Sequence, residues 1–292
     1  MTTRRSNTQI GAIVLLVLAW GSTFAAVKIG LEGAPPILFG GLRSVVGGAV
    51  MAVLAFGRSG LPQRRDWPAY ALLALLNVVL FFGLQSLAIL ELPSGLAAVL
   101  IYLQPVLVGV LAAVFLGETL TGLKIAGLLL GFAGIVVVSA GALGGRVSML
   151  GVIYAVSGAL IWALGTIAFK RYAGHVDSWW AVAVPFLVGG IVLTLGGAAV
   201  EGTDISWTTE FVVAFGYASL VGTALSWSLW FSLVASGDAS RAAVYIFFVP
   251  LVSLVIGAVL LHETLGDSLL AGAALVILGV YLVNRRPAAR VQ

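Results

Sequence analysis

Aromatic and neutral polar residues are the side chains whose types and spacing best suit a binding site in this sequence. Trp227 lies four residues after Thr223 and three before Trp230, so a helix would bring the three to one face. Rings mixed with amide and hydroxyl groups suit small amphipathic solutes, whose apolar parts pack while their polar ends form hydrogen bonds. For any single ring, packing in an apolar core is an equally good interpretation. The candidate binding residues are Trp20, Ser22, Asn77, Phe81, Gln85, Tyr102, Trp162, Trp227, Trp230, Tyr245 and Phe248.

The residues that most catalytic and metal sites require are scarce. The sequence has no cysteine, and its two histidines, His175 and His262, cannot form a metal centre by themselves. It also lacks a GxxxxGKS/T loop for nucleotide phosphates and a set of residues suited to nucleophilic or metal-assisted catalysis. We therefore expect no enzyme activity, no catalytic residue, no metal and no cofactor.

The elements that must position the candidate residues follow from the composition. Of the 292 residues, 61% are apolar and 9% are charged, whereas a soluble domain is about half apolar and about a quarter charged. Such a chain cannot cover a water-facing surface, which excludes a soluble enzyme, a disordered scaffold and a nucleic-acid-binding module. We expect an all-α polytopic membrane protein.

Runs of the sequence that are poor in charge divide the chain into ten segments that can cross a hydrocarbon core of about 30 Å as helices. The runs are continuous rather than alternating in polarity, which favours helices over a barrel. Placing both termini in the cytoplasm puts twelve of the lysines and arginines on or near that side and three toward the outside. The predicted helices cover residues 8–29, 36–56, 67–90, 94–116, 122–140, 149–171, 179–200, 209–235, 239–261 and 267–284.

Arg43 falls inside the second predicted helix. If that helix begins near Pro36, the arginine lies about 10 Å deep at 1.5 Å per residue. A central arginine costs about 2.5–3.5 kcal/mol on insertion scales, so its side chain should face protein or water rather than lipid. Two roles stay open: a partner for a substrate carboxylate, or a structural clamp on helix-end carbonyls. The clamp is the favoured interpretation.

An internal repeat is visible when residues 94–138 are aligned without gaps to residues 239–283, because seventeen of the forty-five pairs are identical. Apolar bias does not explain a shared proline, a shared Glu-Thr-Leu and two shared glycines. A weaker match pairs Trp20 with Trp162. Each unit then has five helices, and because five is odd the second unit enters the membrane from the other side. We expect two inverted five-helix repeats, at residues 1–145 and 146–292.

The repeat makes further features of the two units comparable. Pro105 and Pro250 each remove a backbone hydrogen bond in mid-helix, which suits them as hinges. Glu118 and Glu263 begin equivalent turns, and we expect them to cap free N–H groups of the next helix rather than to act as gates. Glycines on helices five and ten predict close packing, either within the bundle or at a dimer seam.

These motifs resemble those of the drug/metabolite transporter superfamily in its EamA form. The resemblance covers nearly the whole chain and rests on Trp20-Gly21-Ser22, Arg43, the two proline helices and the two Glu-Thr-Leu turns. The overall pattern is most similar to bacterial amino-acid exporters of the YddG type. One departure is visible: Ala163-Leu164 stands in the second unit where the first has Gly21-Ser22.

The resemblance implies a secondary transporter of the bacterial inner membrane that exports amino acids, including aromatic or other neutral ones, by alternating access. No Asp or Glu falls within a predicted helix interior, where proton-coupled carriers place one, so facilitation or exchange is expected. Export of other small metabolites or of organic cations and drugs is the alternative. A channel would need charged rings or a filter segment, and an intramembrane enzyme would need catalytic groups. The expected partners are a small-molecule substrate and the lipid bilayer, without nucleic acid; a monomer suffices, and a homo-oligomer stays open.

Overall fold

The computed structural model of the protein describes residues 7–92, 97, 100–139, 148–261 and 269–284, which form ten helices. Seven of these are α1 (Asn7–Leu31), α2 (Pro36–Ser59), α4 (Gln104–Leu116), α5 (Gly122–Ser139), α6 (Met149–Tyr172), α7 (Trp180–Glu201) and α10 (Leu269–Asn284). The other three consist of consecutive segments: α3 of Trp67–Ala74, Leu75–Leu80 and Phe81–Glu91, α8 of Thr209–Tyr217, Ala218–Leu225 and Ser226–Ala235, and α9 of Ala239–Ala243, Val244–Phe247 and Phe248–Leu261.

The all-helical fold predicted from the sequence is confirmed, and its helices follow the predicted spans to within a few residues at most ends. The fourth differs, because a turn at Tyr102 and Leu103 separates the helical residues before it from α4. The predicted unit boundary at 145/146 and the second Glu-Thr-Leu turn lie outside the described residues.

Six helical stretches among the described residues are long and apolar enough to cross a membrane. Their lipid-facing sides carry bare aliphatic side chains, as at Val53 and Leu195, which are 73% and 66% exposed. The six are Gln9–Leu31, Pro36–Ser59, Arg64–Ala88, Met149–Tyr172, Trp180–Glu201 and Thr209–Ala235, and shorter apolar helices are Gln104–Leu116, Gly122–Val137, Ala239–Ser253 and Ala271–Asn284.

Glycine pairs join the two units where α2 packs along α7. Gly40-Gly41 and Gly47-Gly48 on α2 recur with the same spacing as Gly189-Gly190 and Gly196-Gly197 on α7. A Cβ at Gly48 would lie 2.6 Å from the backbone nitrogen of Leu187, so only glycine lets the two backbones approach this closely. Since helix two of one unit meets helix two of the other, this contact lies on the pseudo-twofold axis of an inverted repeat.

The contact between α5 and α10 repeats this arrangement. A Cβ at Gly127 would lie 2.6 Å from the carbonyl oxygen of Gly279, and one at Gly134 would lie 2.7 Å from that of Gly272. The glycine faces predicted from the sequence therefore pack against each other within one chain. Other contacts cross between the units in matched pairs, among them α1 with α8 and α3 with α6, and α1 with α9 and α4 with α6. The two units interlock around the centre of the bundle.

Helix irregularities recur at equivalent places in the two units. The wide π-helical turns Leu75–Leu80 in α3 and Ala218–Leu225 in α8 overlap when the units are superposed at the offset of the sequence repeat. In the same way, the chain leaves regular α-helix just before Pro105 and just before Pro250, as a turn in one unit and a 3₁₀ segment in the other. The prediction that Pro105 lies in mid-helix was wrong: it is buried at the start of α4, where the backbone N–H that a proline lacks would have no partner within the helix.

The packing of α2 on α7 generates a stability prediction. Gly48→Ala places a methyl group against the backbone of α7, and overpacking of this kind costs about 1–3 kcal/mol. We expect a clear fall in the melting temperature of the purified protein, followed by tryptophan fluorescence. Gly57→Ala is the matched control, because it lies on the same helix with nothing within 4 Å of its Cβ position. A melting temperature that falls equally in both variants would contradict the close approach.

Candidate functional site

A cavity lies inside the bundle between the two units; the centre of a water molecule can occupy about 70 Å³ of it, and its empty space is about 600 Å³ with the open end included. Its lining residues on α1, α2 and α3 fall in the halves of those helices nearest the α1–α2 and α3–α4 connections, so the cavity occupies that half of the bundle. The lining residues are Trp20, Thr23, Val27, Arg43, Phe81, Phe82, Gln85, Ile101, Tyr102, Trp162, Gly222 and Trp227.

Tryptophans from both units form an aromatic cluster beside the cavity. The ring of Trp20 on α1 meets the edge of Trp162 on α6 at 5.5 Å between centroids and that of Trp227 on α8 at 5.9 Å. Phe81 on α3 lies 5.0 Å from Trp162, and Trp230 lies 5.8 Å from Trp20. Edge-to-face and tilted ring pairs at these distances are favourable beyond the area they bury. Four helices thus meet through their rings at the middle of the bundle.

The π-helical turns lie directly behind this cluster. The Asn77 side chain, in the π turn of α3, fills the space that a Cβ at Gly165 on α6 would need. The matching contact joins Thr23 on α1 to Gly222 in the π turn of α8. The repeat aligns Asn77 with Gly222 and Thr23 with Gly165, so each contact joins one large and one small residue. The backbones therefore approach in the same way at both contacts, although the side chains at equivalent positions differ. π turns often occur at functional sites.

The structure brings six of the eleven candidate binding residues to the cavity wall: Trp20, Phe81, Gln85, Tyr102, Trp162 and Trp227. Two more lie just behind it. Trp230 is fully buried in the aromatic cluster. Asn77 is fully buried against α6, and both atoms of its amide lack a hydrogen-bond partner among the described residues.

The other three candidates lie away from the wall. The Ser22 hydroxyl is 2.7 Å from the Tyr217 hydroxyl and donates to the carbonyl of Leu18 at 2.7 Å. Tyr245 and Phe248, on α9, are half-buried and pack against the apolar core.

Five wall residues were not among the candidates: Thr23, Val27, Phe82, Ile101 and Gly222. Helical spacing could have identified Thr23 and Val27, which follow Trp20 by three and seven residues. The repeat could have identified Phe82, because it aligns with Trp227 at the offset of the two units.

Arg43 reaches the cavity from α2. Its side chain is 8% exposed, and its guanidinium carbon lies 4.4 Å from the centre of the Phe82 ring. This is a cation–π contact, worth about 0.5–2 kcal/mol depending on how far water is excluded. Among the described residues its Nε has no hydrogen-bond partner. The ring therefore holds a buried cation in place.

A charged cluster lies at the opposite end of the bundle. Glu118, after α4, accepts hydrogen bonds from the backbone nitrogens of Ala239 and Ser240 at the start of α9. Lys124 on α5 donates to the Ser240 hydroxyl at 3.2 Å and lies 3.7 Å from Asp238. The prediction that Glu118 caps the next helix was wrong: it caps α9 of the other unit, since the inverted packing brings that helix terminus to it.

The comparison with known proteins follows the same division into two units. The sequence matches the EamA-like transporter family over residues 8–140 and again over residues 149–285. The chain belongs to this family. It is a multi-pass membrane protein of a transporter family and not an enzyme.

The sequences of individual relatives align with nearly the whole of this chain. The "Uncharacterized transporter YvbV" of Bacillus subtilis (strain 168) is 40% identical over 95% of this chain and 92% of that one. A "Probable amino-acid metabolite efflux pump" of Escherichia coli (strain K12) is 28% identical over 92% of each. The "Uncharacterized inner membrane transporter YedA" of the same strain is 29% identical, over 95% and 93%. A crystal structure with 22% identity superposes with a TM-score of 0.83, covering 95% of this chain and 96% of its own, so this EamA chain shares its fold.

The charged cluster generates a test of its own. Glu118→Gln weakens two hydrogen bonds to the α9 terminus and leaves buried Lys124 with less compensation. Losing charge-assisted bonds of this kind costs about 1.5–3 kcal/mol, so the melting temperature should fall. Glu91→Gln is the control, because that carboxylate binds the Ser148 hydroxyl at an exposed position. Equal melting temperatures for Glu118→Gln and wild type would show that the cluster does not hold the units together.

Proposed function

We propose that the protein exports amino acids, neutral and aromatic ones among them, by alternating access across the bacterial inner membrane. The observation that carries this proposal is the aromatic cavity at the interface of two inverted units. Alternating access needs a site near the midplane that each side of the membrane reaches in turn, and an interface between inverted repeats meets this need. Relatives named "Probable amino-acid metabolite efflux pump" support the same substrate class.

The six wall residues among the candidates would contact the substrate directly. Trp20, Trp162 and Trp227 would pack on its apolar part, and Gln85 would bind its polar end. Asn77, Trp230, Ser22, Tyr245 and Phe248 would belong to the wider site, some of them becoming accessible only when the cavity opens at the other end. Pro105 and Pro250 would act as hinges, since regular helix already stops beside each.

We also propose that both termini are cytoplasmic, in line with the lysine and arginine distribution. The cavity then opens toward the outside, and the Glu118–Lys124 cluster closes the cytoplasmic end. The units would comprise residues 1–145 and 146–292. A monomer contains a complete cavity and would suffice for transport.

The alternative substrates are other small metabolites, or organic cations and drugs. None of the cavity-lining residues that the structure describes is Asp or Glu, and one is arginine. A cation would therefore meet a like charge and no counter-charge, which disfavours that class. Neutral or anionic small metabolites stay open as alternatives.

Truncating the aromatic wall tests the substrate site. In Trp162→Ala and Trp227→Ala we expect weaker transport of large apolar amino acids, by about 1–3 kcal/mol in apparent affinity, with a smaller effect on alanine. Counterflow in proteoliposomes across a panel of amino acids, sugars and organic cations measures this selectivity. Trp67→Ala is the control, because that ring lies at the start of α3 and is 47% exposed. Equal loss in all three variants, in proportion to protein abundance, would assign the tryptophans a purely structural role.

Energy coupling gives a separate prediction. The cavity wall contains no titratable carboxylate among its described residues, so a proton has no acidic site there. We expect downhill uptake to continue at the same rate when an ionophore collapses the proton gradient, with exchange measured in parallel as the control. Transport that stops with the ionophore would reveal a proton site and would overturn facilitation or exchange.

A further inference from the structure

The charge of Arg43 is uncompensated in an apolar setting. The described residues form ion pairs at Arg65–Asp66, around Lys124, and at Arg241–Asp238, and none of these pairs involves Arg43. Burying a charge without a partner is expensive, and proteins usually pair such a group or neutralise it. The Phe82 ring compensates only part of this cost. A group with negative charge is the complement that the cavity favours.

A second unsatisfied donor belongs to the same wall. The indole Nε1 of Trp162 is buried and has no hydrogen-bond partner among the described residues. Guanidinium and indole N–H groups donate and cannot accept. The unpaired N–H groups of Arg43 and Trp162 therefore require a hydrogen-bond acceptor, which an oxyanion would supply.

The second unit supplies no cation equivalent to Arg43. The glycine pattern that relates α2 to α7 aligns Arg43 with Val192, which is 51% exposed on the outside of the bundle. The cavity thus has one cation on one side and aromatic rings on the others. One guanidinium matches one carboxylate, whereas phosphate groups call for several cationic or bidentate contacts.

We propose that the cavity recognises amphipathic monocarboxylates, with the carboxylate bound at Arg43 and the apolar body held among Trp20, Phe81, Trp162 and Trp227. This inference rests on the proposed function. It adds that the cavity recognises the carboxylate of the substrate and not its ammonium group. Gln85 and the ring faces can solvate an ammonium group, but no described wall residue offers it a counter-charge. Deaminated aromatic acids are therefore ligands as good as the corresponding amino acids.

Three probes with the same aromatic body separate the two charged groups. Phenylalanine has both, 3-phenylpropionate has the carboxylate alone, and phenethylamine has the ammonium alone. We expect the first two to raise the melting temperature of the purified protein and to change its tryptophan fluorescence at similar concentrations. The amine should bind at least roughly tenfold more weakly. An amine that binds as well as the acid would overturn the proposal.

Arg43→Gln tests the assignment of the carboxylate to this residue. The affinity for 3-phenylpropionate should fall by roughly 10- to 100-fold, because a hydrogen-bonded ion pair is lost. Arg43→Lys keeps the charge but not the planar fork and should retain part of the affinity. The ligand-free melting temperature should stay the same or rise in Arg43→Gln, since an unpaired buried charge is removed. A fall in stability with unchanged affinity would instead identify Arg43 as a structural clamp.

A matched control separates a general effect of losing an arginine from the effect at the cavity. Arg58 also lies over an aromatic ring, 4.5 Å from the centre of Trp179, but at the far end of α2 and outside the cavity. Arg58→Gln should leave the affinities for all three probes unchanged. An equal loss in the Arg58 and Arg43 variants would contradict a carboxylate site at Arg43.

Counterflow of phenylalanine distinguishes failure of this inference from failure of the proposed function. If wild-type proteoliposomes exchange phenylalanine and Arg43→Gln does so with an unchanged KM, transport stands and the carboxylate site is wrong. If the purified protein binds 3-phenylpropionate through Arg43 but exchanges none of the amino acids, the carboxylate site stands and amino-acid transport is wrong.

Discussion

The hydrocarbon core of a bilayer supplies no water, so every polar group inside the bundle needs a partner from the chain. Most of the buried hydroxyls meet this constraint locally. Ser44, Thr166 and Ser219 each donate to the carbonyl one turn earlier, at 2.7, 3.0 and 2.7 Å. Arg43 and the indole of Trp162 do not find such partners among the described residues, and both line the central cavity. Asn77 and the indole of Trp230, just behind the wall, also lack partners among the described residues, so the candidate site contains several of the polar groups for which the fold provides no complement.

The two units share the backbone features that form the scaffold, but they contribute different side chains to the cavity. Glycine contacts, π turns and breaks beside a proline recur in both units, and the glycines allow one backbone to approach another. Around the cavity the sequence-equivalent positions differ: Phe82 corresponds to Trp227, both on the wall, whereas Arg43 on the wall corresponds to Val192 on the outside of the bundle. In the proposed alternating-access mechanism, symmetric packing would let either end of the bundle open and close by the same contacts. Under the proposed carboxylate recognition, the asymmetric side chains would suit a ligand that itself has one charged and one apolar end.

Much of the fold could be predicted from the sequence, because hydrophobic run length and the repeat determine the number, order and inversion of the helices. The site could be predicted in part. Regular helical spacing predicts Asn77, Phe81 and Gln85 on one face, but the π turn adds residues per turn between Asn77 and Phe81. The wall consequently takes Phe82 with Phe81 and Gln85, and Asn77 turns to α6. Helical spacing also shows which residues share a face, but it does not show which neighbouring helix that face meets. The candidate residue Ser22 therefore lies outside the wall, where it pairs with Tyr217.

The most direct measurement of the central claim is the position of a ligand that carries a heavy atom. Crystals of the protein with 4-bromophenylalanine would give the bromine position from anomalous scattering. The account predicts one bromine peak in van der Waals contact with the rings of Trp162 and Trp227, and the carboxylate within hydrogen-bond distance of the Arg43 guanidinium. Bromine at the lipid-facing surface, or in the cavity with the ammonium group toward Arg43, would contradict it.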